Sequence, residues 1–204
     1  MDKFLLHTCC APCSIAVIAE LKSQYELTVF FYNPNIYPEE EYLKRKSEVI
    51  KVCQEWGVEM IDEDIISATP PEPSLGKRGI DRERERWNEA VVGLENEPEG
   101  GARCVQCFKM RLEKTAQFAK EKNFDLFCTT LTSGRNKKAE VINTIGRMLG
   151  EKYGVKFLET DWKKDGRQEK GRIMIKERNI YKQDYCGCVY SLQNKSKISN
   201  SPNF

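Results

Sequence analysis

Seven of the nine cysteines in this 204-residue chain fall into three tight groups. Cys9, Cys10 and Cys13 stand in HTCCAPCS, Cys104 and Cys107 in RCVQCF, and Cys186 and Cys188 in YCGCVY. Thiolates ligate zinc and iron–sulfur centres, and they also act as nucleophiles and redox groups. An odd number of cysteines cannot pair fully into disulfides. In a reducing compartment, clustered cysteines read as metal-binding or catalytic. The seven are therefore expected to converge on one redox-active metal site, an iron–sulfur centre before any other.

Each group carries its own alternatives. The Cys9-Cys10-Cys13 group spans a strand end, a turn and a helix start, where free backbone N–H groups and the helix dipole favour a thiolate. Read blandly, the same residues are small buried hydrophobes. Cys104-x-x-Cys107 at a helix start suits zinc, iron–sulfur or thioredoxin-type sites, and with Cys10-x-x-Cys13 it would complete a four-cysteine zinc site. Ribbon-type zinc sites separate their pairs by only about 15–20 residues, whereas half a domain intervenes here. Cys186-Gly187-Cys188 can chelate a metal or close a strained, readily reduced disulfide. Seven thiols exceed the four that one zinc or one cubane cluster needs, which points to a cluster plus a second metal or a redox dithiol. Cys53 and Cys128 have no cysteine neighbour in the sequence and are read as packing residues.

Other residues near these motifs are open to two readings. His7, the only histidine, is either a ligand or proton donor, or a strand-end residue satisfying the backbone. Asp184 is either an oxygen ligand or acid beside the last cysteines, or a surface turn residue. Asp161 follows a strand and can face the same cleft. Lys163 to Arg178 holds seven Lys or Arg against three Asp or Glu, a phosphate-holding patch or simply a solvated helix face. The first turn, TCCAPCS, has neither a G-x-G-x-x-G nor a Walker sequence, so the usual dinucleotide reading fails.

The elements that must position these residues alternate. Phe4–Leu6, Leu27–Tyr32, Val58–Ile61, Leu126–Leu131 and Val155–Leu158 read as buried strands. Helical periodicity marks Cys13–Leu21, Glu39–Trp56, Val105–Lys122, Ala139–Leu149 and Arg167–Arg178. Ala68 to Arg103, with four prolines and five glycines, reads as a surface insertion holding one helix over Ile80–Val92. Residues 194–204 read as a frayed tail, leaving one α/β domain over 1–193. Alternating strands and helices imply a Rossmann-like, doubly wound, mostly parallel sheet. Such sheets bind ligands beyond the carboxyl ends of their strands, where the strand order reverses. Cys9 and Cys10 follow the first strand and so lie there. Net charge of +2 makes no case for nucleic-acid binding, and no apolar run approaches a membrane span or signal peptide. A soluble cytoplasmic protein is expected.

Taken together and in order, HTCCAPCS, FYNPNIYPEEEYLKR, RCVQCFKMRLEKTA, TTLTSGRNK and YKQDYCGCVYS closely resemble the QueH-type epoxyqueuosine reductases. The resemblance runs from about His7 to Ser191, and the segment before Arg103 carries little of it. It implies the fold of the nucleotide α-hydrolase group and the last step of queuosine synthesis. In that step epoxyqueuosine at the tRNA wobble position is reduced to queuosine without cobalamin. It also implies a 4Fe-4S cluster held by Cys9, Cys10, Cys104 and Cys107. Cys186 and Cys188 would form a redox pair or hold a second mononuclear iron, with Cys13 in either group and Asp184 as an acid. The basic stretch would then grip the anticodon arm, Tyr32, Tyr185 and Tyr190 would stack on bases, and a separate electron donor is required. A zinc-stabilised nucleic-acid-binding protein is the rival reading. A sulfur-transfer enzyme of the same fold is a third, opposed by the missing phosphate loop.

Overall fold

The computed structural model describes residues 1–62 and 79–193. Along the chain lie β1 (Lys3–His7), α1 (Ala11–Leu21), β2 (Glu26–Phe31), α2 (Glu39–Trp56) and β3 (Glu59–Asp62). They are followed by α3 (Gly79–Ala90), α4 (Ala102–Glu121), β4 (Leu126–Thr129), a 3-10 turn (Thr130–Ser133), α5 (Ala139–Tyr153), β5 (Lys156–Phe157) and α6 (Arg167–Glu177). A last helical turn covers 189–193. The expected loop from Ala68 up to residue 78 and the expected tail lie outside the described residues.

The five strands form one parallel sheet in the order β3-β2-β1-β4-β5. The chain winds outward from β1 to β3, then returns to the other side of β1, so the order reverses between β1 and β4. This is the doubly wound arrangement read from the sequence. The carboxyl ends of those two strands open the crevice, with His7 in register with Thr129.

The central strand shows why the chain folds this way. Phe4, Leu5 and Leu6 have no exposed surface. Phe4 and Leu6 face a core with Ile15, Ile18, Val49 and Val52, and Leu5 faces another with Leu112, Ala116 and Ile142. A strand apolar on both faces belongs inside a helix-covered parallel sheet, and each such side chain contributes about 2 kcal/mol by its burial.

Differences from the expected elements have local causes. β4 stops at Thr129, two residues early, because the Thr129 hydroxyl accepts a hydrogen bond from the Leu131 N–H (3.1 Å) and caps the 3-10 turn. α1 starts at Ala11, so Pro12 and Cys13 both lie in its first turn. α3 is anchored rather than superficial, since Ile80 and Trp87 are buried. Among the described residues, no helix is long and apolar enough to cross a membrane.

Candidate metal centre

β1 delivers the chain to the crevice, and Cys10, in extended backbone (φ −169°, ψ 153°), caps α1. The turn brings the sulfurs of Cys9, Cys10 and Cys13 within 4.8 Å of one another. The sulfurs of Cys9 and Cys10 are 3.7 Å apart, and Ser14 Oγ donates to the Cys10 carbonyl (3.0 Å), holding the first turn shut. Gln183 Nε2 donates to Cys10 Sγ at 2.9 Å from the far end of the chain.

Within the triad Cys9 is the thiol most readily ionised. Hydrogen bonds from the Cys10 and Cys13 thiols hold Cys9 well below the ordinary thiol range, with help from Lys137 and Arg111 and against the effect of burial. Cys10 is raised by its hydrogen bonds with Cys13 and Cys9 and by burial. The hydrogen bond with Cys10 lowers Cys13, but that with Cys9, together with burial, pushes it up to about 12. Three sulfurs this close, with Cys9 the most readily ionised, can serve as a soft-metal ligand set.

Two cations face this charge. Arg111, on α4, is buried; its Nη2 donates to Asn33 Oδ1 (2.6 Å) and its Nη1 lies 3.9 Å from Cys107 Sγ. Among the described residues no carboxylate pairs with it, although an isolated buried charge is costly. Thiolate is the available counter-charge. Lys137 is half-buried and feels Cys186, Cys9 and Cys13. Its stem folds onto Gly134, where a Cβ would come within 2.8 Å of it.

Both ring nitrogens of His7 are engaged by protein groups. Its Nε2 lies 3.1 Å from the Tyr32 carbonyl, which can only accept, so the proton sits on Nε2. Nδ1 then accepts from the Thr129 hydroxyl at 2.8 Å. Burial first, and Arg111 second, lower its pKa to about 3, so the ring is neutral.

The remaining thiols line the other side. Arg103 donates to the carbonyls of Leu94, Glu95 and Glu97 (3.1, 2.9 and 2.7 Å), tying the preceding loop to the start of α4. The Gly100 N–H donates to Cys104 Sγ at 3.2 Å, while burial raises the Cys104 pKa. Cys107 packs with Cys188, Trp87 and Val91. Cys188 Sγ is 3.5 Å from Ser191 Oγ, and burial pushes Cys186 up to about 11. The structure therefore groups Cys13 with Cys9 and Cys10, and Cys107 with Cys188. Cys104 feels Cys107 and Cys188, and Cys186 feels the same two. Arg111 bridges the sets, touching Cys107 and facing Cys9. Asp184 is exposed, and its charge acts on Tyr181 and Tyr185.

Residues 178–187 reach the crevice by lying along α2. Arg178 pairs with Glu55, the Tyr181 N–H donates to Glu48, and the Tyr181 hydroxyl donates to Glu41. Arg45, only 1% exposed, donates to the carbonyls of Cys186 (3.0 Å) and Tyr185 (3.1 Å) and pairs with Glu41 (2.6 Å). Positions 41, 45, 48 and 55 share one face of α2, so this charged stripe is a seat for the segment. Gly187, at φ +128°, completes it; a Cβ there would lie 3.0 Å from Arg45 Nη1.

Sequence reading missed Arg111, Lys137, Arg45 and Gln183. Arg111 carries a signal, standing one turn after Cys107 on the same helix face. Arg45 looks like any charge on a charged helix. Two other expectations need correction. The Tyr32 hydroxyl is buried and donates to Glu83 (2.5 Å), so that ring is not free to stack on a base. The arginines of the basic stretch are largely spent in ion pairs: Arg167 with Glu20 and Asp165, Arg172 with Glu169, and Arg178 with Glu55. Cys53 and Cys128 are buried with pKa values pushed up to about 12 by desolvation, as packing thiols should be.

A family model described as epoxyqueuosine reductase QueH matches residues 4–70 and 75–194. The chain belongs to this family. It is 40% identical over 198 residues to the epoxyqueuosine reductase QueH of Histophilus somni, covering 96% of this chain and 74% of that one. To the QueH of Thermotoga maritima it is 36% identical over 192 residues, covering 94% and 91%. In structure it is similar to the U34-tRNA thiolase NcsA from Methanococcus maripaludis with its 4Fe-4S cluster (TM-score 0.50, 12% identity). That likeness covers 98% of this QueH chain but 65% of the thiolase, and it establishes the fold.

Proposed function

We propose that this QueH chain reduces epoxyqueuosine at the wobble position of tRNA to queuosine in the cytoplasm. Membership of the family supports the reaction. The observation that carries the chemistry is the triad of buried Cys9 and Cys10 with half-buried Cys13, with sulfurs inside 4.8 Å and two cations facing them. This donor set fits an iron–sulfur cluster: three soft ligands converge on one point, and Arg111 and Lys137 offset their negative charge. The 4Fe-4S cluster of the fold neighbour is consistent with this reading. Cys9, Cys10 and Cys13 would hold the cluster, with Cys104 and Cys107 beside them, and when bound it would supply electrons one at a time.

The chain's own residues do the rest. Converting the epoxide to an alkene takes up two electrons and two protons and releases the oxygen as water. The Cys186 and Cys188 thiols line the same crevice and would serve as the redox pair, and Lys137 stands where a departing oxygen can be neutralised. Buried Arg111 and neutral His7 form the floor of the crevice, Arg111 fixed on Asn33 and His7 on Thr129 and Tyr32. The electron donor is a separate protein or small reductant. A second, mononuclear iron on Cys186 and Cys188 is an extension of this proposal.

Two measurements test it. Protein purified without oxygen is expected to be brown and to contain iron; a colourless protein carrying only zinc sinks the reading in favour of a structural metal. Incubation with epoxyqueuosine-containing tRNA and a chemical reductant is expected to yield queuosine.

A further inference from the structure

Resting on that reading, we propose that the tRNA backbone is gripped by a rim of three cations, Arg135, Lys138 and Lys164, and not by the face of α6. All three side chains are exposed and, among the described residues, none is engaged in an ion pair. They stand on two loops at the carboxyl edge of the sheet, one following β4 and one following β5. The loops are joined to each other: Lys163 Nζ donates to the Lys137 carbonyl (2.7 Å), and the Trp162 indole N–H donates to the Thr129 carbonyl (3.0 Å). They are also joined to the thiols, since Ser133 Oγ donates to the Cys13 carbonyl at 3.0 Å. Between the rim cations, Lys137 turns inward toward Cys9, Cys13 and Cys186. A backbone held on Arg135, Lys138 and Lys164 therefore passes the mouth of the crevice, where a base can be turned in.

The arginines of the helix face differ from the rim in pairing and in place. They are paired with Glu20, Asp165, Glu169 and Glu55, and Lys170 already acts on Glu20. The last arginine sits on Glu55 near the end of α2, at the opposite edge of the sheet from the thiols. A chain held there would be displaced from the centre. Polyanionic RNA suits the rim better than an acidic protein surface does, because exposed, solvated cations match phosphates in any register.

The test uses the full chain and an unmodified anticodon stem–loop RNA, with affinity measured across a salt series. Each phosphate contact on a single strand contributes a slope of about −0.7 in log K against log salt. The triple variant Arg135→Ala/Lys138→Ala/Lys164→Ala is expected to lose at least about ten-fold in affinity at low salt and to flatten the slope by about 2. Lys170→Ala/Lys176→Ala is expected to leave both unchanged. If the rim variant binds like the parent, or if only the helix variant changes the slope, the proposal is overturned. Turnover of the free epoxyqueuosine nucleoside separates the two readings. Unchanged nucleoside turnover with lost RNA binding supports the rim. A parent protein that binds RNA through the rim but reduces no epoxyqueuosine refutes the activity and leaves the surface standing.

Discussion

The turn carrying Cys9, Cys10 and Cys13 and the segment carrying Cys186 and Cys188 reach the same crevice by opposite means. The turn is local: a buried strand ends, a helix begins, and three sulfurs fall within 4.8 Å because all three cysteines lie within a stretch of five residues. The later segment has no strand behind it. It is laid along α2 and fastened by Arg45, Glu41 and Glu48 at positions more than a hundred residues away in sequence. One group is built by secondary structure and the other by buried polar contacts. Such contacts are costly to leave half-made, so they fix geometry as well as place.

Removing sulfurs draws the sharpest line between the two. Cys9→Ser or Cys10→Ser is expected to abolish both the visible absorption and turnover. Cys186→Ser or Cys188→Ser is expected to keep the cluster absorption and still abolish turnover. Equal loss of absorption in all four variants would erase the distinction drawn here.

Next comes the fastening itself. Arg45→Met strands Glu41 and two backbone carbonyls in a buried place, and is expected to cost about 3 kcal/mol in urea unfolding. Arg45→Lys should recover part of that loss but not the paired carbonyl contacts. Gly187→Ala forces a side chain into positive φ against the guanidinium, with an expected cost of about 2 kcal/mol. Its cluster absorption should be intact and its turnover reduced; intact turnover would show that the segment's geometry is not demanding.

The smallest effect lies at Glu20, near the end of the helix that the thiol turn begins. Arg167 hydrogen-bonds its carboxylate and holds its pKa below the ordinary 4.5. Since the native value is lowered, the pair's contribution is complete above the ordinary value and is lost as pH falls through the native one. Glu20→Gln should cost about 0.5 kcal/mol at neutral pH, because the pair is partly exposed. The gap between parent and variant should close in acid; a gap that persists there would mean packing, not charge, joins α1 to α6.

Much of the fold was legible because its signals are local. Phe4–Leu6 and LTVFFY are strands apolar on both faces, and their alternation with helices allows little besides a covered parallel sheet. The basic run misled because composition counts charges without their partners. Arg167, Arg172 and Arg178 each meet a carboxylate, and only folding shows it. Tyr32 misled for the same reason: an aromatic at a strand end looks available until Glu83 closes over its hydroxyl.

By itself the sequence determined that thiols would gather at the carboxyl edge of β1, because a strand, a turn and a helix start are dictated by neighbouring residues. It also set Cys53 and Cys128 apart, since neither has a cysteine neighbour, and the structure buries both. Only the tertiary structure decided how the seven thiols divide, with Cys13 beside Cys9 and Cys10, and Cys107 against Cys188. It alone placed Arg111, Lys137 and Arg45 among them. A buried charge is tolerated only where opposite charge or dipoles meet it, and here the groups that meet it come from parts of the chain that no sequence spacing connects.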